Sequence, residues 1–513
     1  MHSESISAAR LCRTPLAACL GMLFALGPAA PSTTLAASTW PQLARSNGID
    51  ALIQHMRARA AAQHTPAHPT GGVVLPVTSC ADDGGSGTLR HVVLTASSGD
   101  TVDLSALTCS TITLTSGAVN IDVDELTIVG PGASRLAIDG NANGRIFRHS
   151  GAGTFYLSDV TVTNGSYTLL TGPYGGGCIY SKGPLSLDGV VVSSCTAVGG
   201  EIIAGGAILA VNNAVLFYTT VKDSSVTALT GTMGLGAAGG GVFAYSLTLE
   251  FSTVSGNSVS TALGSAYGGG ALAAAGNLTC KYDTVSGNSV TTANAPGSGY
   301  YAIGGGLVTT RDMFIQNSTV DNNSADGGGG IYVRAYTGAS GTVRNSTISG
   351  NHASLVGGGM IFGDDLTLEN STIAFNYGGS EGGGGLMVGG TTVDLESNII
   401  ADNSPSGMAA AADLDGSATI TGANNIIKIA GATLVLPPDT ISLDPQLGPL
   451  LDNGGLTRTL AIAPTSPAFD AGNNVAGASH DQRGVSFARE VGGSADIGAY
   501  EFDPGIIFAN GFQ

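Results

Sequence analysis

Short runs of alternating apolar and polar residues recur along the chain, as in Leu366-Thr367-Leu368-Glu369. A two-residue period predicts strands whose side chains face opposite sides of a sheet. The runs themselves repeat. One apolar column reads Val162, Val192, Val221, Val254, Val285, Val320, Ile348, Ile373 and Ile400, at intervals of 25 to 35 residues. Five positions before each stands a second column: Leu157, Leu187, Leu216, Leu249, Cys280, Ile315, Val343, Leu368 and Leu395. Three positions after the first column come Asn257, Asn288, Asn323, Asn351, Asn376 and Asn403. Glycine clusters precede each segment, among them Gly239-Gly240-Gly241, Gly268-Gly269-Gly270 and Gly357-Gly358-Gly359.

A repeat of this length without a helical period fits one coil of a parallel β-helix, in which equivalent positions stack about 4.8 Å apart. β-branched residues suit the pleated walls. Asn is expected at a coil corner, tolerating left-handed backbone and bonding to the Asn above and below. Glycine is expected at a second corner. Residues 73–440 are therefore expected to form an all-β, right-handed parallel β-helix of about 12–14 coils. Its open ends need caps, since an uncovered coil is a naked strand edge. Leu89, Val92 and Val93 suit a short N-terminal cap, and the region after residue 440 suits a C-terminal one.

Composition narrows the function classes. Glycine numbers 79, while charged residues make up 11% of the 513 residues. The net charge of −18 disfavours nucleic acid and anionic membranes as partners. Arg10 and Arg13 before the apolar run Leu16 to Leu26 read as an export signal over residues 1–37, followed by a poorly ordered segment 38–72. No later stretch is long and apolar enough for a membrane helix. Export leaves Cys80, Cys109, Cys178, Cys195 and Cys280. Cys80 and Cys109 flank the first coil and form the best candidate disulfide. Cys178 and Cys195 bracket one repeat and form a second. Cys280 occupies an inward column and is expected to be a buried thiol.

The glycine-cluster repeat with Asn345-Ser346-Thr347-Ile348 and Asn370-Ser371-Thr372-Ile373 resembles repeats of the polymorphic outer-membrane proteins. Cys80-Ala81-Asp82-Asp83-Gly84 and Gly87-Thr88-Leu89-Arg90 resemble the N-terminal cap of bacterial right-handed β-helix repeat proteins. Residues 441–502 resemble the choice-of-anchor Q module through Asp444-Pro445-Gln446-Leu447-Gly448, Asp452-Asn453-Gly454-Gly455, Ser466-Pro467-Ala468-Phe469-Asp470, Asp481-Gln482-Arg483-Gly484 and Asp496-Ile497-Gly498-Ala499-Tyr500-Glu501. The short tail 503–513 resembles C-terminal tags of exported Gram-negative proteins. These resemblances imply a pectin lyase-like solenoid that is secreted or held at the cell surface or outer membrane. They imply no established reaction.

Two trades remain for such a rod: a non-catalytic adhesion, binding or structural protein, expected to be a monomer, or a polysaccharide lyase or glycoside hydrolase. The residues favour the first. The repeat offers one acid/base patch, Arg344, Glu369 and Glu396, against a plain reading as exposed charges on an outer face. Tyr167, Tyr174, Tyr267, Tyr300, Tyr301 and Tyr377 fall in the variable loops, where exposed rings would stack on sugars of a cell-surface glycan or on a protein. Asp470, Asp481, Arg483, Arg489, Asp496 and Glu501 are expected to pair inside the C-terminal module, with a Ca²⁺ site as the alternative. No cofactor signature and no zinc spacing is present.

Overall fold

The computed structural model describes residues 72–169, 175–200, 203–229, 235–294, 301–334, 338–379, 382–405 and 412–505. The export signal, Tyr174, Tyr300 and the end of the C-terminal tail lie outside them. One coil shows the plan. Ile179–Ser181 belongs to sheet 1, Leu185–Asp188 to sheet 2, Val191–Ser193 to sheet 3 and Thr196–Gly199 to sheet 4. The next coil pairs in parallel beneath it, with Ile179 beside Ile208, Leu187 beside Leu216, Val192 beside Val221 and Ala197 beside Val226. Parallel strands joined by right-handed crossovers make a right-handed parallel β-helix.

Sheets 1 to 4 hold 11, 13, 12 and 13 strands. Sheet 1 gives one strand to each coil, so the described residues make about 11 coils. This is fewer than the 12–14 expected, because the middle coils, from Val221 to Val320, run to 31–35 residues each. Both apolar columns point inward: Leu187, Leu216, Leu249 and Ile315 are fully buried, as are Val192, Val221 and Ile400. Each such side chain contributes about 1.5–3 kcal/mol by leaving water.

The Asn column also faces inward. The Asn257 backbone N–H and its Nδ2 both donate to Asn288 Oδ1 at 3.0 Å. The pattern continues through Asn323, Asn351, Asn376 and Asn403, and Asp413 Oδ1 accepts the last N–H at 2.7 Å. The expected left-handed backbone lies one residue earlier, at Gly256, Gly287, Asn322, Gly350, Phe375 and Asp402. That preceding residue turns the corner, so the Asn keeps ordinary angles and its amide satisfies buried backbone groups. Glycine does what was expected at the other corner: Gly268 has φ 67°, and a Cβ on Gly269 would stand 2.2 Å from the Gly305 carbonyl oxygen.

Sheet 4 is branched. Between Thr196 and Ile303 a coil makes two strands of this sheet, as in Ser258–Thr261 and Ser265–Tyr267, joined by a bend at 262–264. The two ladders merge at Ser324–Gly327, and from there single strands continue the sheet.

Both ends are closed. Helix α1, Leu89–Thr95, buries Leu89, Val92 and Val93 over the first coils, with the Thr88 hydroxyl accepting the His91 N–H at 3.3 Å. Cys80 and Cys109 are bonded, as are Cys178 and Cys195, and Cys280 is a buried free thiol. At the other end Leu434 and Leu436 pack on the core. The C-terminal module is therefore not the end cap that the sequence suggested. It runs along the side of the rod as a strap. Ile399, Ala401 and Ile426, on the outer side of sheet 3, are covered by Ile462, Ala468, Ile497 and Tyr500 of this module. Asn317 donates to the carbonyls of Asp481 and Gln482, Asn345 to that of His480, Asn370 to that of Asn473, and Asn424 to that of Ala471.

Candidate functional site

The acid/base patch forms neighbouring rungs of sheet 2, with Arg344 beside Glu369 and Glu369 beside Glu396. Its side chains are partnered. Arg344 Nε donates to Glu369 Oε2, and Glu369 is only 8% exposed. Glu396 accepts from Asn473 Nδ2 of the strap at 3.4 Å. Burial pushes the Glu396 carboxyl up, the Asn473 amide holds it back, and the charges of Asp394, Asp439 and Glu369 add to the rise. One carboxylate is thus spent on a guanidinium and the other on the strap, so the pair serves packing. The reading as plain exposed charges also fails, because Glu369 is buried and paired with Arg344. Asp364 and Asp365 hold turns by accepting from Gly338, Ala339 and Thr392 N–H groups.

The described members of the tyrosine row do not form one exposed platform. Tyr267 and Tyr301 are 5% and 8% exposed and pack with Leu209, Phe243, Leu272 and Val308. The second ladder of sheet 4 folds against the outer face of sheet 1 and takes their rings with it. Tyr377 stacks on the His352 ring with centroids 4.7 Å apart. In the strap, Arg483 pairs with Asp481 at 2.6 Å and Arg489 with Glu501 at 2.9 Å, all buried. Asp496 accepts the N–H groups of Asp470 and Phe502. These pairs and N–H bonds hold the strap together, and among the described residues no three His, Cys, Asp or Glu side chains gather as a metal site.

Tyr167 leads to a different place. It lines a concavity of about 400 Å³ together with Arg145, Arg148, Leu169 and Tyr180. The alternation of the strand Phe147–His149 builds it: Phe147 and His149 face inward, and Arg148 faces out beside Tyr180 of the next coil. Arg145 is buried. Its Nε and Nη2 donate to the carbonyls of Gly176 and Gly175 at 2.7 and 2.6 Å. Its guanidinium lies 4.0 Å over the Tyr167 ring and 5.2 Å from that of Tyr180. Burial lowers the Arg145 pKa, and the Arg148 charge lowers it further while both tyrosines oppose the fall. Arg148 is exposed and makes no hydrogen bond or ion pair among the described residues.

Among the described residues the site therefore offers a fixed cation, a second cation with no partner, two ring surfaces and no carboxylate. The sequence reading singled out Tyr167 but not Arg145, Arg148, Leu169 or Tyr180. The one available signal was two arginines within four residues of an acidic chain.

The family model for the right handed beta helix region matches residues 274–436. The crystal structure of the pectate lyase Pel9A aligns at 12% identity with a TM-score of 0.38, covering 85% of this chain and 98% of that one. No curated protein matches the sequence.

Proposed function

We propose that this protein is an exported, non-catalytic saccharide-binding β-helix whose ligand carries an acidic group. The carrying observation is Arg148, an exposed guanidinium without a partner among the described residues, on the rung beside Tyr180 and lining the same concavity as a second, buried arginine. Two cations facing one concavity repel each other, and a carboxylate or sulfate between them relieves that repulsion. The rings supply apolar surface for the face of a sugar. A hydrolase needs paired carboxylates at its site, and the described residues that line this one include none. Overall negative charge slows the approach of an acidic chain, but screening confines that repulsion to about 8 Å at physiological salt.

The test is a panel of neutral, uronate-containing and sulfated oligosaccharides, read for retention and for new reducing or unsaturated ends. Retention of acidic members, weakened about tenfold or more by Arg148→Ala, is expected, the loss of a charge-assisted contact. Tyr180→Ala should weaken neutral and acidic sugars alike. Retention indifferent to Arg148→Ala overturns the site, and chain cleavage overturns the non-catalytic reading.

A further inference from the structure

The corner between sheets 2 and 3 carries one residue per coil, each with positive φ: Asp159, Gly189, Tyr218, Phe251, Tyr282, Asn317, Asn345, Asn370, Ser397 and Asn424. From Asn317 onward the strap covers this corner. Before it stands a ladder of stacked rings, with Tyr218 and Phe251 centroids 5.0 Å apart at 17°, and Phe251 and Tyr282 5.0 Å apart at 6°. Bulky side chains disfavour left-handed backbone, so three in succession where Asn or Gly would fit is a costly choice. The strap stops at the ladder's edge, where a Cβ on Gly484 would meet Tyr282 at 3.4 Å. Asp159, Asp188 and Glu250 flank the rings, while Lys281 turns over Phe314 at 5.9 Å.

These coils have neither kind of staple. The disulfides join residues before 196, and the strap begins at Tyr282.

One segment of the chain has matching chemistry. Residues 38–71 hold Arg45, Arg57 and Arg59 against Asp50, a net +2 in a chain of −18. At helical spacing Ile49, Leu52, Ile53, Met56 and Ala60 share one stripe, and Arg57 and Arg59 flank it on opposite sides. Reach allows it. The first strand of sheet 2 begins at Val74, and the strand Ala214–Phe217 lies five places along, about 24 Å at 4.8 Å per strand. Residues 63–71 extended span about 30 Å.

We propose that the segment Asp50–Ala62 docks on the Tyr218–Phe251–Tyr282 ladder of its own chain, its apolar stripe on the rings and its arginines toward Asp159, Asp188 and Glu250. It covers the stretch of corner that the strap leaves.

The single tryptophan, Trp40, makes this measurable. In a Trp40→Phe, Met56→Trp chain the introduced indole should emit blue-shifted, with acrylamide quenching several-fold weaker than in a free peptide of residues 48–64. Glu250→Arg, a surface change, and Phe251→Ala should each restore peptide-like quenching, as should raised salt in part. Quenching equal to the free peptide's overturns the proposal. So does protection that survives both ladder variants, which would place the segment elsewhere. Protection that grows with protein concentration would assign the docking to a second copy and overturn docking within one chain.

Discussion

Asp283 shows how one residue can oppose its column. It stands in a second polar ladder, two residues before the Val/Ile column, with Ser252, Ser318, Ser346, Ser371, Asn398 and Asn425. Each accepts a backbone N–H from the coil before. Asp283 is fully buried, and burial pushes its carboxyl well above the usual range despite N–H bonds from Ser252 and Lys281 at 2.7 Å. A carboxyl raised in the fold stabilises most below its unfolded pKa of about 4 and loses that contribution as pH rises through the folded value. Asp283→Asn, the residue type at 398 and 425, should raise stability at pH 8 by about 1–2 kcal/mol and by less at pH 5, read by denaturant unfolding. His149 has the opposite sign. It is buried between Ser181 Oγ at 2.9 Å and the Asp124 carbonyl at 3.0 Å, and burial lowers its pKa. Its contribution is present above about pH 6.5 and is lost as pH falls through the folded value. His149→Gln should flatten the acid limb of the same pH series.

At the scale of elements, the Asn ladder joins coils that side-chain packing alone would leave free to slip. Asn323 accepts two N–H groups of Asn288 and donates to the carbonyl of Val285 and to Asn351. Asn323→Ala leaves those buried groups unpaired and should cost about 2–4 kcal/mol in chemical unfolding, with Asn323→Asp also destabilising because it buries a charge. The strap works differently, since it covers outer apolar positions. A chain ending at residue 443 exposes Ile399, Ala401 and Ile426. It should bind a hydrophobic dye and self-associate, and a dye response unchanged from the full chain would contradict that covering role.

At the scale of the molecule, stability along a solenoid is a sum of coils and their neighbours, so local staples matter locally. The bonded cysteines hold the N-terminal coils, and the strap holds those from Asn317 to Asn424. Amide exchange should therefore be fastest in the strands from Thr220 to Ser286 whenever the N-terminal segment is removed. Disulfide reduction should accelerate exchange around residues 101–199 and leave the strap unchanged.

What the sequence determined by itself is whatever the repeat records. Each coil places its residues in the same surroundings, so the inward columns, the Asn ladder, the glycine corners and the buried Cys280 appear at steady spacing and can be read as physics. The covered outer face of sheet 3 was also written there, in Ile399-Ile400-Ala401, an apolar run where earlier strands alternate. Only the tertiary structure decided where the non-repeating parts lie. The strap meets the rod through contacts such as Asn317 to Asp481, 164 residues apart, and no period announces whether such a segment closes an end or covers a side. Tyr267 and Tyr301 were misjudged for the same reason: the second ladder of sheet 4 folds against sheet 1 and buries their rings. The arginine concavity joins two coils at positions the repeat does not conserve in kind, so its residues become a site only when the stacking brings Arg148 beside Tyr180.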